Sequence, residues 1–152
     1  MSETKVLLSL IQDHLDEFCV ARKSDFEQIS SDLCPVVDYT RDLLQGGKRF
    51  RALFCYWSWV GALPGSDVIQ SPAQREASAE AMVGITAALE MFHAAALVHD
   101  DLLDQSDTRR GAPSVHKRFE ALHSNSGWAG SPERFGVAGS VLVGDLMLGW
   151  SS

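Results

Sequence analysis

From about Arg75 to Leu103 the sequence is rich in Ala, Met and Leu, and between Met82 and His99 Glu90 is its one formal charge. A helix apolar on most of its sides must be covered by other helices, so this stretch obliges the rest of the chain to supply them. Residues 3 to 22 do so, with Leu7, Leu8, Ile11, Leu15, Phe18 and Cys19 at helical spacing and Asp13, Asp16 and Glu17 between them. No repeat, no low-complexity tract and no credible strand is expected anywhere in the chain.

Breakers divide the remainder. Pro35 starts a second helix that runs through VVDYTRDLL to the Gly46-Gly47 pair. Lys48 to Gly61 restarts as a helix with cations in its first turn, and its Phe54, Tyr56, Trp57 and Trp59 are expected in a core or an interface. Leu63 to Pro72 reads as a loop, marked by Pro64-Gly65 and Ser71-Pro72. Gly111 and Pro113 interrupt the chain again, a helix resumes at Ser114, and Ser124 to Gly130 is a loop. Ser131-Pro132-Glu133 combines a capping hydroxyl, a first-turn proline and a first-turn acid. The helix from Phe135 to Trp150 carries one charge, Asp145, and is too short for a comfortable membrane span. Its Gly136, Gly139, Gly144 and Gly149 predict close helix packing. It stops at Trp150-Ser151-Ser152 without a polar last turn or capping glycine, so a longer polypeptide is expected.

At 152 residues the chain is a single domain's worth. A net charge of −7 argues against a nucleic-acid partner and for weak attraction to anionic membranes, so any anionic substrate must be held by local cations or metal. Cys19, Cys34 and Cys55 lack CxxC spacing and predict reduced thiols. The N-terminus lacks the pattern of a secretory leader, and a cytoplasmic location is expected.

The charges that remain are clustered. Asp100 and Asp104 stand one helical turn apart with Asp101 beside them, an arrangement that repels itself unless a cation intervenes. Oxygen ligands on a rigid helix suit Mg²⁺, which takes one or two carboxylates plus substrate phosphates. Arg109 and Arg110 then offer forked donors for phosphate oxygens. Lys48 and Arg51, three apart on one face with Arg49 pointing elsewhere, sit where free helix N–H groups favour an anion. His93 shares the face of Asp100 and Asp104, His116 follows the arginines, and His14 reads as a surface residue. Each cluster alone is also what an ordinary solvated surface looks like.

Together, GGKRFR at 46 to 51, His93, DDLLD at 100 to 104 and RRGAPSVH at 109 to 116 resemble the first half of a trans-isoprenyl diphosphate synthase. The segment Glu120 to Arg134 resembles the bacterial geranylgeranyl and polyprenyl synthases of actinobacterial type. The resemblance implies an all-α bundle around a central cavity, of which residues 1–152 form the N-terminal portion, and a homodimer. It implies that Asp100, Asp101 and Asp104 hold Mg²⁺ bridging to an allylic diphosphate that Arg109 also binds. Lys48, Arg51, His93 and Arg110 would bind isopentenyl diphosphate, whose alkene attacks the allylic cation. The family's second aspartate-rich motif is missing from this chain, and Ala52 stands where the family commonly has proline.

Product length is implied by the helix below the aspartates. The family stops its product at farnesyl length with bulky residues four and five positions before the first aspartate. Here those are Ala96 and Ala95, with Phe92 next on the stripe through Asp100, Ala96, Phe92 and Leu89. Geranylgeranyl is the expected product, unless the alanines are small because another helix packs on them. Three rivals remain at this stage. His99-Asp100 is the dyad of HD-type metal phosphohydrolases, a terpene cyclase also uses DDxxD although RRGAPSVH and GGKRFR speak against it, and a diphosphate-binding remnant would show no turnover.

Overall fold

A computed structural model describes residues 3–63 and 71–152 of the chain. Six helices form in order: α1 (Glu3–Ile29), α2 (Cys34–Leu43), α3 (Phe50–Ala62), α4 (Pro72–Leu103), α5 (Val115–Ser126) and α6 (Pro132–Trp150). A short 3₁₀ turn, Ser31–Leu33, links α1 to α2. The fold is all-α but for one short hairpin. The loop expected around Pro64-Gly65 lies outside the described residues.

α4 occupies the centre. It opens with a reciprocal cap in which the Ser71 hydroxyl accepts from Gln74 N–H while the Gln74 side chain accepts from Ser71 N–H. Its buried face, Met82, Thr86, Ala87, Met91, Ala94, Ala95, Val98 and Asp101, meets one side of α1, where Leu7, Ile11, Leu15 and Cys19 are buried. α6 packs on α4 and α5, and the predicted small-residue contacts are real at three of its glycines. A Cβ would collide with the His116 carbonyl at Gly136, with the Phe119 ring at Gly139 and with the His99 imidazole at Gly144, whereas Gly149 faces open space. Among the described residues α4 alone is long and apolar enough, by length and composition, to cross a membrane.

Three expectations are corrected here and a fourth is narrowed. α1 runs to Ile29, a full two turns past residue 22, because Phe18 and Phe26 on it hold Trp150 of α6 at 5.6 and 5.9 Å between ring centres. α3 begins at Phe50, so Lys48 lies in the preceding loop and only Arg51 is in the first turn. A small antiparallel hairpin does form, β1 (Thr108–Arg109) with β2 (Ala112–Pro113). Its central residues Arg110 and Gly111 both take positive φ, 52° and 81°, as a tight two-residue hairpin demands. Of the aromatics expected in a core or an interface, Phe54 is 72% exposed and Trp57 36%, which leaves the interface for these two.

Candidate active site

α4 ends in the acidic cluster. Asp100 and Asp104 are exposed, while Asp101 is 2% exposed and continues the buried row of Ala94 and Val98. Helix geometry separates them, since successive residues turn about 100° while residues four apart nearly superpose. Arg109 reaches Asp101 from β1 and donates through Nε to both carboxylate oxygens, at 2.9 and 3.0 Å, and through Nη2 to Oδ1. These hydrogen bonds raise the Arg109 pKa above its ordinary value despite desolvation, helped by the charges of Asp101, Asp100 and Asp104. The Asp101 expected as a metal ligand is thus turned inward and bound to Arg109. Among the described residues no three His, Cys, Asp or Glu side chains converge as a metal nest. Two free carboxylates on one face still fit Mg²⁺, which keeps several waters and asks for one or two.

Roughly 10 Å back along α4, at ~1.5 Å per residue from Asp100 to His93, lies a basic cavity. Its volume is ≈ 130 Å³, and Lys48, Arg49, Arg51, Glu90, His93 and Arg110 line it. The loop between α2 and α3 makes it, because Gly46 and Gly47 take φ of 70° and 86° and turn the chain back on itself. Arg110 stacks beside Gly47, where a Cβ would lie 3.1 Å from its Nη2, and its Nη1 donates to Gln45 O at 2.9 Å. Arg51 Nη1 lies 2.9 Å from His93 Nε2; arginine only donates, so Nε2 accepts. Burial first, then the nearby Arg51, Arg110 and Arg109 charges, push the His93 pKa below its ordinary value, with Glu90 opposing. The Glu90 carboxylate accepts from Ala52 N–H at 3.3 Å, at the start of α3.

Arg49 departs from expectation. It contributes to the lining of the same cavity as Lys48 and Arg51, with a left-handed backbone at φ 47°, while its Nη2 is turned inward to Gln12 of α1 and Leu44 O. Sequence reading also passed over Glu90 and Gln12, which hold this cavity's parts in place. No local signal marks them; their partners lie 37 and 38 residues away.

A third feature is an open apolar groove of ≈ 670 Å³ along α4, lined by Cys55, Ile85, Leu89, Phe92, Ser151 and Ser152 among others. Phe92 is 53% exposed on it, and Ala96 is exposed between Phe92 and Asp100. Ala95 is fully buried and belongs to the core instead, one residue round the helix from Ala96. His116 is also elsewhere: its Nδ1 lies 3.2 Å from Ser114 Oγ beneath the hairpin. His14 is exposed, as expected. The phosphohydrolase dyad is not assembled, since the His99 imidazole lies against α6, 3.4 Å from Val141 O and 3.5 Å from Asp145, while Asp100 faces solvent.

Residues 35–152 match the family described as polyprenyl synthetase. A probable farnesyl diphosphate synthase of Sinorhizobium fredii is 35% identical over 106 residues, 68% of this chain and 23% of that protein. A nonaprenyl diphosphate synthase of Mycobacterium tuberculosis is 35% identical over 107 residues, 70% of this chain and 24% of its own length. Over 79 residues, 51% of this chain and 18% of the relative, a chloroplastic geranylgeranyl pyrophosphate synthase of Arabidopsis thaliana is 42% identical. The crystal structure of a geranylgeranyl pyrophosphate synthase from Corynebacterium glutamicum, complexed with isoprenyl diphosphate and magnesium, superposes with a TM-score of 0.82 at 35% identity. That match covers 95% of this chain and 39% of the other. The chain thus spans about a quarter of the length of the first curated relatives it matches.

Proposed function

Because the chain belongs to the polyprenyl synthetase family, we propose that it is the N-terminal part of a trans-prenyl diphosphate synthase domain. The whole domain joins isopentenyl diphosphate to an allylic diphosphate, with geranylgeranyl diphosphate as the main product, and works as a cytoplasmic homodimer. One observation carries this reading: an acidic end, a basic cavity and an apolar groove all open along the single helix α4.

Asp100 and Asp104 would hold Mg²⁺, which when bound supplies charge neutralisation to a leaving diphosphate. Arg109 is anchored beside them by Asp101 and presents its remaining guanidinium edge to the same allylic diphosphate. Lys48, Arg51 and Arg110 hold the diphosphate of isopentenyl diphosphate, and the neutral His93 adds a hydrogen bond without adding repulsion. The allylic tail lies in the groove, passes the small Ala96 and meets Phe92 about 12 Å below Asp100, at ~1.5 Å per residue. The groove excludes water on one side only, so closure of the site is left to the remainder of the polypeptide.

The test is Mg²⁺-dependent condensation of farnesyl diphosphate with isopentenyl diphosphate, assayed on this chain and on the full-length polypeptide. Geranylgeranyl diphosphate from the full-length protein and little turnover by residues 1–152 alone are expected. In the full-length protein Ala96→Phe should shorten the product to farnesyl and Phe92→Ala should lengthen it. Full-length protein that binds both diphosphates yet transfers nothing would leave a binding remnant, and an active Phe92→Ala with unchanged products would move the stop elsewhere.

A further inference from the structure

Arg49 is the anomaly of the basic cavity. It is 8% exposed, and it sits in the left-handed region at φ 47°, ψ 37°. A non-glycine residue held there is strained and persists only where its surroundings demand it. Its Nη2 donates to the Gln12 side-chain oxygen and, at 2.6 Å, to Leu44 O; both acceptors are neutral. Its Nη1 is buried and without a partner among the described residues. No carboxylate among those residues lies within ion-pair distance of it. Burial drives its pKa below the ordinary arginine value, Arg110 adds to that, and the more distant Glu90 and Asp16 only partly offset it.

A buried charge with no counterion in contact is strongly unfavourable. A structural pin between α1 and the end of α2 would not need that charge, since Gln12 and Leu44 O could be bridged by a neutral donor. What the charge does accomplish is electrostatic, because a fixed cation in a low-dielectric wall attracts an anion without reorganising when it arrives. The cavity it lines carries Lys48, Arg51 and Arg110 against the single carboxylate of Glu90.

We propose that Arg49 is an anion-binding residue of this cavity, the fixed positive charge of its inner wall, acting with Lys48, Arg51 and Arg110 on a diphosphate. The proposal rests on reading the cavity as the isopentenyl diphosphate site.

The test uses inorganic pyrophosphate, in EDTA so that the acidic end is silent, titrated into the chain by calorimetry. Arg49→Gln should bind about tenfold more weakly, as expected for loss of one nearby fixed positive charge. Arg49→Lys, which keeps the charge, should stay within about threefold of the parent. Gln12→Ala, which loosens the pin and keeps the charge, should lower the melting temperature and cost less affinity than Arg49→Gln. Parental affinity in Arg49→Gln, or losses in Arg49→Lys and Gln12→Ala as large as in Arg49→Gln, would overturn the proposal in favour of a pin. Arg51→Gln separates the two levels. If it loses affinity while Arg49→Gln does not, only Arg49's role falls; if the parent does not bind pyrophosphate at all, the cavity reading falls and takes this proposal with it. Should Arg49→Gln fail to fold, side-chain NMR of the parent decides. The Arg49 Nε–H resonance, assigned through Arg49→Lys, should move during the titration, and a stationary signal overturns the proposal.

Discussion

The acidic end of α4 and the basic cavity beside it solve the same problem, holding like charges together, in opposite ways. At the acidic end two carboxylates are left to solvent and the third is neutralised within the protein by Arg109. In the cavity, cations from the loop before α3, from α3 itself and from the hairpin tip are gathered around a small space, with a histidine kept neutral among them. The first site is made by helical periodicity, which leaves Asp100 and Asp104 exposed on one face. The second is made by left-handed backbone at Gly46, Gly47, Arg49 and Arg110, which gathers the cations around one small space.

The largest effect that could break this contrast concerns metal dependence. An Asp100→Ala, Asp104→Ala double variant should lose Mg²⁺-stimulated diphosphate binding altogether, while its metal-free pyrophosphate binding, which belongs to the cavity, stays as in the parent. Isothermal titration with and without Mg²⁺ reads both, and retained Mg²⁺ stimulation would remove the metal from the acidic end.

Stability should separate the inner aspartate from the outer pair. Arg109→Ala strands the buried Asp101 carboxylate and should cost about 3 kcal/mol by urea unfolding, the scale of breaking a buried pair. Asp100→Ala removes only a like-charge repulsion, and should change stability by a few tenths of a kcal/mol, in the stabilising direction. Equal effects from the two variants would mean that Asp101 is no more a structural residue than its neighbours.

The cavity has a matching test in Gly47→Ala. The added methyl meets the Arg110 guanidinium in a backbone conformation with φ of 86°. It should cost about 1–3 kcal/mol and weaken pyrophosphate binding by displacing Arg110. A variant as stable as the parent would show that the loop can be built another way.

The smallest effect is in pH. The folded-state pKa of His93 is depressed, so the neutral imidazole favours the fold. That contribution is complete above the unfolded value of about 6.5 and is lost as pH falls toward the folded value. Unfolding midpoints should therefore drop more steeply below that pH in the parent than in His93→Gln. Identical slopes would place the proton elsewhere.

The all-α class, the position of α4 and the pairing of Asp100 with Asp104 follow from sequence alone, because helical periodicity is a local property and three or four residues suffice to express it. So does the placing of Arg109 near the aspartates, five residues on from Asp104. Tertiary structure decided the rest. Which aspartate turns inward depends on the packing of the face shared with Ala94 and Val98, and α1 continues past residue 22 because Trp150 covers it. The burial of Ala95 beside the exposed Ala96 is set by the neighbours of α4, which side-chain size cannot reveal. Arg49 is the furthest case, since its direction follows from a strained φ, and its partner Gln12 is 37 residues distant. Strain of that kind is sustained by contacts that exist only after the chain has folded.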